Sequence, residues 1–187
     1  MALTRSRRSP QPLDHAKLQE LALRYVGRYA TTRAKLRSYL SRKLRERGWN
    51  GEREPDPEGL AERFAELGYI DDAAYALNKS RSLGGRGYGK RRLVEKLRLA
   101  GVTEEDSQAA LQSADADAVS AALRYAERRR IGPFAPEAPD RSAREKAIAA
   151  MVRAGHGFGL SRAIASLNRA ADVDPLDLCE SYRSEGA

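Results

Sequence analysis

Few residues in this chain are of a type that does covalent chemistry, and their spacing argues against it. The two histidines, His15 and His156, lie far apart in a basic leader and a glycine-rich turn, where solvated imidazoles are expected. Cys179 is the single cysteine, so no intrachain disulfide forms, and with two scattered histidines it assembles no zinc site. No serine sits in a nucleophile elbow. Asp71 and Asp72 look like paired carboxylates, but they open a helix, where carboxylates act as caps and favour the dipole. The stretch GGRGYGKRR, 84–92, invites comparison with a phosphate loop. It has no strand before it, and Arg91 stands where a magnesium-binding Ser or Thr is required. A helix–helix turn is expected instead, with Arg86, Lys90, Arg91 and Arg92 facing a polyanion or an acidic protein surface and Tyr88 stacking or packing. Amide groups opening the next helix would add to that attraction. The expectation is a protein that is not an enzyme and holds neither cofactor nor metal.

Charge gives the more useful signal. The 187 residues carry a net +8 and the pI is about 9.8. Segment by segment the balance is +6 over 14–54, −5 over 55–75, +7 over 76–102, −5 over 103–117 and +2 over the last 70 residues. Basic and acidic blocks alternate, as they would in a repeated unit. The cations concentrate on two segments: Arg33, Lys35, Arg37, Arg42 and Lys43 on one, and Lys90, Arg91, Arg92, Lys96 and Arg98, preceded by Arg86, on the other. Such lopsided helices favour a binding surface whose attraction weakens with salt. Asn and Gln are nearly absent from them, which disfavours base-specific reading. Arg128, Arg129 and Arg130 close a helix, where the macrodipole accounts for them. No apolar run approaches the roughly 20 residues that span a bilayer, and no apolar segment follows the basic N-terminus. A cytoplasmic protein without membrane contact is expected.

The elements that position these cations are helices throughout. Leu36, Leu40 and Leu44 recur at helical spacing and stop at Gly48; Leu93 and Leu97 stop at Gly101; Ala147 and Met151 stop at Gly155. Thr31 or Thr32, and Asp140, are the expected N-caps of the first and third of these helices. A helix precedes each, near 18–30, 71–83 and 117–130, and a shorter one follows, opened by Asp56-Pro57 in the first case and Thr103 in the second. No period-2 strand pattern survives. The expected fold is all-α: three tandem three-helix repeats over 16–70, 71–114 and 115–170 in an elongated, curved helical array. A disordered leader over 1–15 and a capping helix and tail over 171–187 flank them.

Three segments carry a resemblance. The stretch 25–44 (YVGRYATTRAKLRSYLSRKL), Leu67-Gly68-Tyr69-Ile70-Asp71-Asp72 with Tyr75-Ala76, and Gly87-Tyr88-Gly89 followed by Arg91, Arg92, Leu93, Leu97, Gly101 and Val102 resemble the RecX family of recombination regulators. The resemblance is close over 20–112 and looser over 117–169, where 132–139 is an insertion and the second helix is alanine-rich. It implies a bacterial cytoplasmic monomer that lodges in the groove of RecA filaments on single-stranded DNA. There it would restrain ATP hydrolysis, strand exchange and the co-protease activity of the SOS response. Direct contact with single- and double-stranded DNA would be weak and salt-sensitive. The expected RecA or DNA surface is Arg33, Lys35, Arg37, Arg42, Lys43, Arg86, Tyr88, Lys90, Arg91, Arg92, Lys96 and Arg98. A helix-turn-helix transcription regulator, which would protect defined sites in a footprint, and a general single-strand binder, which would need more aromatic platforms, are the alternatives.

Overall fold

The computed structural model describes residues 11–167. Among them the chain is helical throughout: α1 (His15–Val26), α2 (Arg33–Arg47), α3 (Pro57–Glu66), α4 (Asp72–Gly85), α5 (Lys90–Ala100), α6 (Glu104–Ala116), α7 (Ala118–Arg129), α8 (Arg141–Arg153) and α9 (Phe158–Ser166), with a 3-10 turn at Gly132–Phe134. Several of the helices begin where the sequence supplies side-chain acceptors. Thr32 takes the amide of Lys35 at 3.2 Å, Asp56 that of Gly59 at 2.8 Å, Thr103 that of Asp106 at 3.1 Å and Asp140 that of Ala143 at 2.6 Å. The basic helices end at Gly48 (φ 77°) and Gly101 (φ 70°), and Gly155 (φ 100°) follows α8. A side chain would resist that left-handed backbone, so glycine stops the helix at low cost.

Each repeat has a core of its own. Leu13, Leu18, Leu36, Leu40, Phe64 and Ile70 fill the first. Ala76, Leu93, Leu97 and Ala110 fill the second, and Val119, Tyr125, Met151, Leu160 and Ile164 the third. Contacts divide the chain into two compact units, 1–72 and 73–187, so the second and third repeats share one unit. Tyr88, on the connection between α4 and α5, packs against the core of the third repeat and supplies part of that union.

One sequence expectation changes here. The leader does not run to residue 15: Leu13 is fully buried, its amide donates to Gly48 O at 3.0 Å, and its carbonyl accepts from Asn50 at 2.8 Å. Apolar burial and a two-bond bridge hold this segment in the fold. His15 opens α1 and meets the edge of the Trp49 ring at 4.8 Å. Ile131 belongs to the third core, and Gly132 and Ala135 of the 132–139 insertion are buried beside it in sequence. The expected capping helix over 171–187, with Cys179, lies outside the described residues, as does 1–10.

Candidate protein and nucleic-acid interface

The cations of α2 are largely committed within the first unit. Asp72 is buried, and its carboxylate accepts from the Arg33 amide at 3.1 Å and from Arg33 Nε at 3.2 Å, while Arg33 Nη1 donates to Glu62 at 3.3 Å. Donating to Asp72 raises the Arg33 pKa further, against the desolvation that would lower it. Asp72 therefore completes the N-terminus of α2, a helix 39 residues earlier, where a role at the start of its own helix was expected. Arg33 belongs to the framework of the fold. Lys35 is half-buried beside it and also has a partner. Arg37 pairs with Glu58 at 2.6 Å. Glu46 takes both Lys43, at 2.6 Å, and Arg42, at 3.4 Å, and the Lys43 hydrogen bond lowers its pKa. The acidic block of α3 thus faces the basic block of α2.

The second basic helix is less neutralised. Lys90 pairs with Asp115 and Arg92 with Glu95 at 3.1 Å. Among the described residues no acid answers Arg86, Arg91, Lys96 or Arg98. Arg86, Arg91 and Arg98 are exposed, and Lys96 is half-buried. These four are the open charge of the predicted surface.

The turn ahead of α5 differs from expectation. Gly87 and Gly89 are buried, and a Cβ on Gly87 would stand 2.6 Å from the Tyr125 amide nitrogen. Gly89 donates to Ala154 O at 3.0 Å and Arg91 donates its amide to Gly155 O at 3.2 Å. The α5 amide that was expected to attract phosphate is occupied by a carbonyl of the third repeat. His156, 3% exposed, closes the joint with Nε2 2.9 Å from Gly87 O. A carbonyl only accepts, so Nε2 carries the proton. The solvated His156 expected from sequence is a buried structural residue, and burial pushes its pKa below the ordinary value, partly offset by the Gly87 hydrogen bond. Tyr88 is half-buried here with the Arg128 guanidinium 5.8 Å from its ring centre, which favours packing over base stacking. No sequence signal links Gly87 to His156, 69 positions later.

Helices α4–α6 coincide with a known domain. The family model described as the second three-helix domain of RecX matches residues 71–111, which is α4 to most of α6. The Regulatory protein RecX of Myxococcus xanthus is 31% identical over 174 residues, covering 89% of this chain and 93% of that protein. This chain belongs to the RecX family. The Regulatory protein RecX of Mycobacterium sp. strain JLS is 36% identical over 60% of this chain and 61% of its own length. Crystal structures of RecX from Lactobacillus salivarius (TM-score 0.58, 19% identity, 80% of this chain and 92% of that one) and of a second regulatory protein RecX (TM-score 0.56, 23%, 80% and 70%) share the fold. The sequence expectations of an all-α fold and of the RecX family both hold. The named relatives are regulatory proteins, and among the described residues no helix is long and apolar enough to cross a membrane and no cluster of His, Cys, Asp or Glu would hold a metal ion.

Proposed function

We propose that this RecX-family chain is a non-enzymatic regulator that binds RecA filaments on single-stranded DNA in the cytoplasm and restrains their ATP hydrolysis, strand exchange and co-protease activity. The observation that carries this reading is the relation to a RecX regulatory protein over nearly the whole of both chains. Charge supports it: Arg86, Arg91, Lys96 and Arg98 form an open cationic group suited to acidic filament surface or phosphate, without the Asn and Gln of base readers. Regulation would follow from binding one filament state more tightly than others, which shifts the populations without covalent chemistry.

The test is RecA ATP hydrolysis on saturating single-stranded DNA at about 0.15 M salt, where nonspecific attraction is screened, with this protein titrated from far below stoichiometry. Inhibition at low ratios supports the reading. Inhibition only once the protein coats the DNA would overturn it in favour of simple competition for phosphates.

A further inference from the structure

The alternation of basic and acidic elements breaks in the third repeat. In the first, acids of α3 answer cations of α2 through Arg37–Glu58 and Arg33–Glu62. In the second, Asp115 near the end of α6 answers Lys90 of α5. The third repeat has cations, but its last helix, α9 (FGLSRAIAS), has no acid to offer. Between Arg141 and Ala171 the one acid is Glu145, which pairs with Arg141. The next acids in the sequence are Asp172, Asp174, Asp177 and Glu180, with no base among them.

The unanswered cations meet in a cleft of about 900 Å³ between the end of α7, the 131–139 connection and α8. Arg128, Arg129 and Arg130 come from the end of α7, and Lys146 and Arg153 from α8. Among the described residues none of the five has a carboxylate partner. Glu137 and Asp140 also line the cleft, and Asp140 is committed to the Ala143 amide as the cap of α8. Each helix end adds only about half a negative charge, so the cleft keeps a net charge of about +2. Its floor is apolar. Ala143, Ala147, Ala150 and Ala154 line it from one face of α8, whose own buried residue is Met151. Such small side chains leave room for larger apolar ones.

We propose that residues 172–182 of this same chain occupy the cleft. The carboxylates of the segment meet the cations, and Val173, Leu176, Leu178 and Tyr182 cover the alanine face of α8. Exposed ion pairs are weak singly, so the apolar cover is a necessary part of the contact. Position favours this occupant over an outside one. Ala165 of α9 lines the cleft, and the described chain stops two residues later at Leu167, in extended backbone with φ −67° and ψ 138°. The steps from Leu167 to Asp172 reach at most about 17 Å, so only a short loop has to close. An acidic segment tethered this near competes with free anions at a high effective concentration. The docked segment supplies the acidic block that α9 lacks. It also withholds the charge of the cleft from other anions, which must displace it first.

Cys179 is the single cysteine and falls inside the proposed segment, so disulfide trapping in the full chain reads the contact directly. Ala143→Cys and Ala150→Cys each place a second thiol in the cleft, and Arg162→Cys places one on the exposed surface of α9 outside it. Position 162 is the nearest of the three to Cys179 in sequence, so an undocked segment would meet it most readily. Under copper–phenanthroline at low protein concentration, one or both cleft positions should close an intrachain disulfide at least about 5-fold faster than Arg162→Cys. Asp174→Lys with Asp177→Lys should remove that advantage, and adding Arg129→Glu with Lys146→Glu should restore at least about half of it. Helical CD and melting check that every variant folds. Three outcomes overturn the proposal: closure fastest in Arg162→Cys, an advantage that survives the reversal of Asp174 and Asp177, or disulfides between chains in place of within one, which would assign the cleft to a second copy. RecA is absent from this experiment, so its failure and that of the filament reading are distinguishable.

Discussion

Single residues set the firmest expectations. Asp72 has a buried carboxylate that satisfies both the amide and the guanidinium of Arg33. Asp72→Asn removes the charge and one acceptor, leaving the half-buried Arg33 to its Glu62 pair, and should cost about 1–3 kcal/mol in urea unfolding. Gly155 takes φ 100° with the Arg92 amide nitrogen 2.6 Å from where a Cβ would sit. Gly155→Ala meets strain and backbone at once and should cost about 2–4 kcal/mol. His156 gives a pH dependence. Its folded pKa lies below the ordinary value near 6.5, so as pH falls past that value the unfolded chain takes up a proton that the folded chain refuses. Stability is full above that point and is lost as pH falls toward and through the folded value. The neighbouring ring is Tyr125, at 5.7 Å. His156→Gln keeps a donor for Gly87 O and does not titrate. Its melting temperature should fall less than the wild type's between about pH 7 and 5.5, the range that brackets an ordinary imidazole; equal falls would show that His156 does not govern the window.

At the scale of elements, the two basic helices look alike in sequence and differ in the fold. α2 faces the acids of α3, whereas Arg91, Lys96 and Arg98 of α5 meet none among the described residues. A surface pair such as Arg37–Glu58 is worth only about 0–1 kcal/mol, so Arg37 is released at small cost. Arg33, tied to a buried carboxylate, is not. We therefore expect Arg91→Glu with Arg98→Glu to weaken inhibition of RecA ATP hydrolysis about 10-fold or more with unchanged helical CD. Arg37→Glu should weaken it a few-fold at most. The reverse ranking would move the contact surface to α2.

For the molecule as a whole, the net charge of +8 misleads when read as a uniform field. In the unit 1–72 much of the charge is balanced internally; in the unit 73–187 the described residues leave it open on α5 and in the third-repeat cleft. Screening acts most on exposed, unpaired charge, and the Debye length is already down to about 10 Å at 0.1 M salt. Filament inhibition, titrated by ATP hydrolysis, should accordingly fall as salt rises from about 0.05 to 0.3 M. A salt-independent effect would require contacts of another kind.

The helices, their caps and their glycine stops were legible in the sequence because they depend on neighbours within about four residues. Thr32, Asp56, Thr103 and Asp140 cap the helices they precede, and Gly48 and Gly101 end theirs. The RecX motifs are local in the same sense. What the tertiary structure alone decided are contacts between distant segments: Asp72 on the amide of Arg33, Gly87 on His156, and α7 with α8 around one basic cleft. A linear chain carries no record of which charges will meet an opposite charge and which will be left facing water. Hence the sequence identified the cations, and only the packing of the helices separated those that hold the fold from those free to bind.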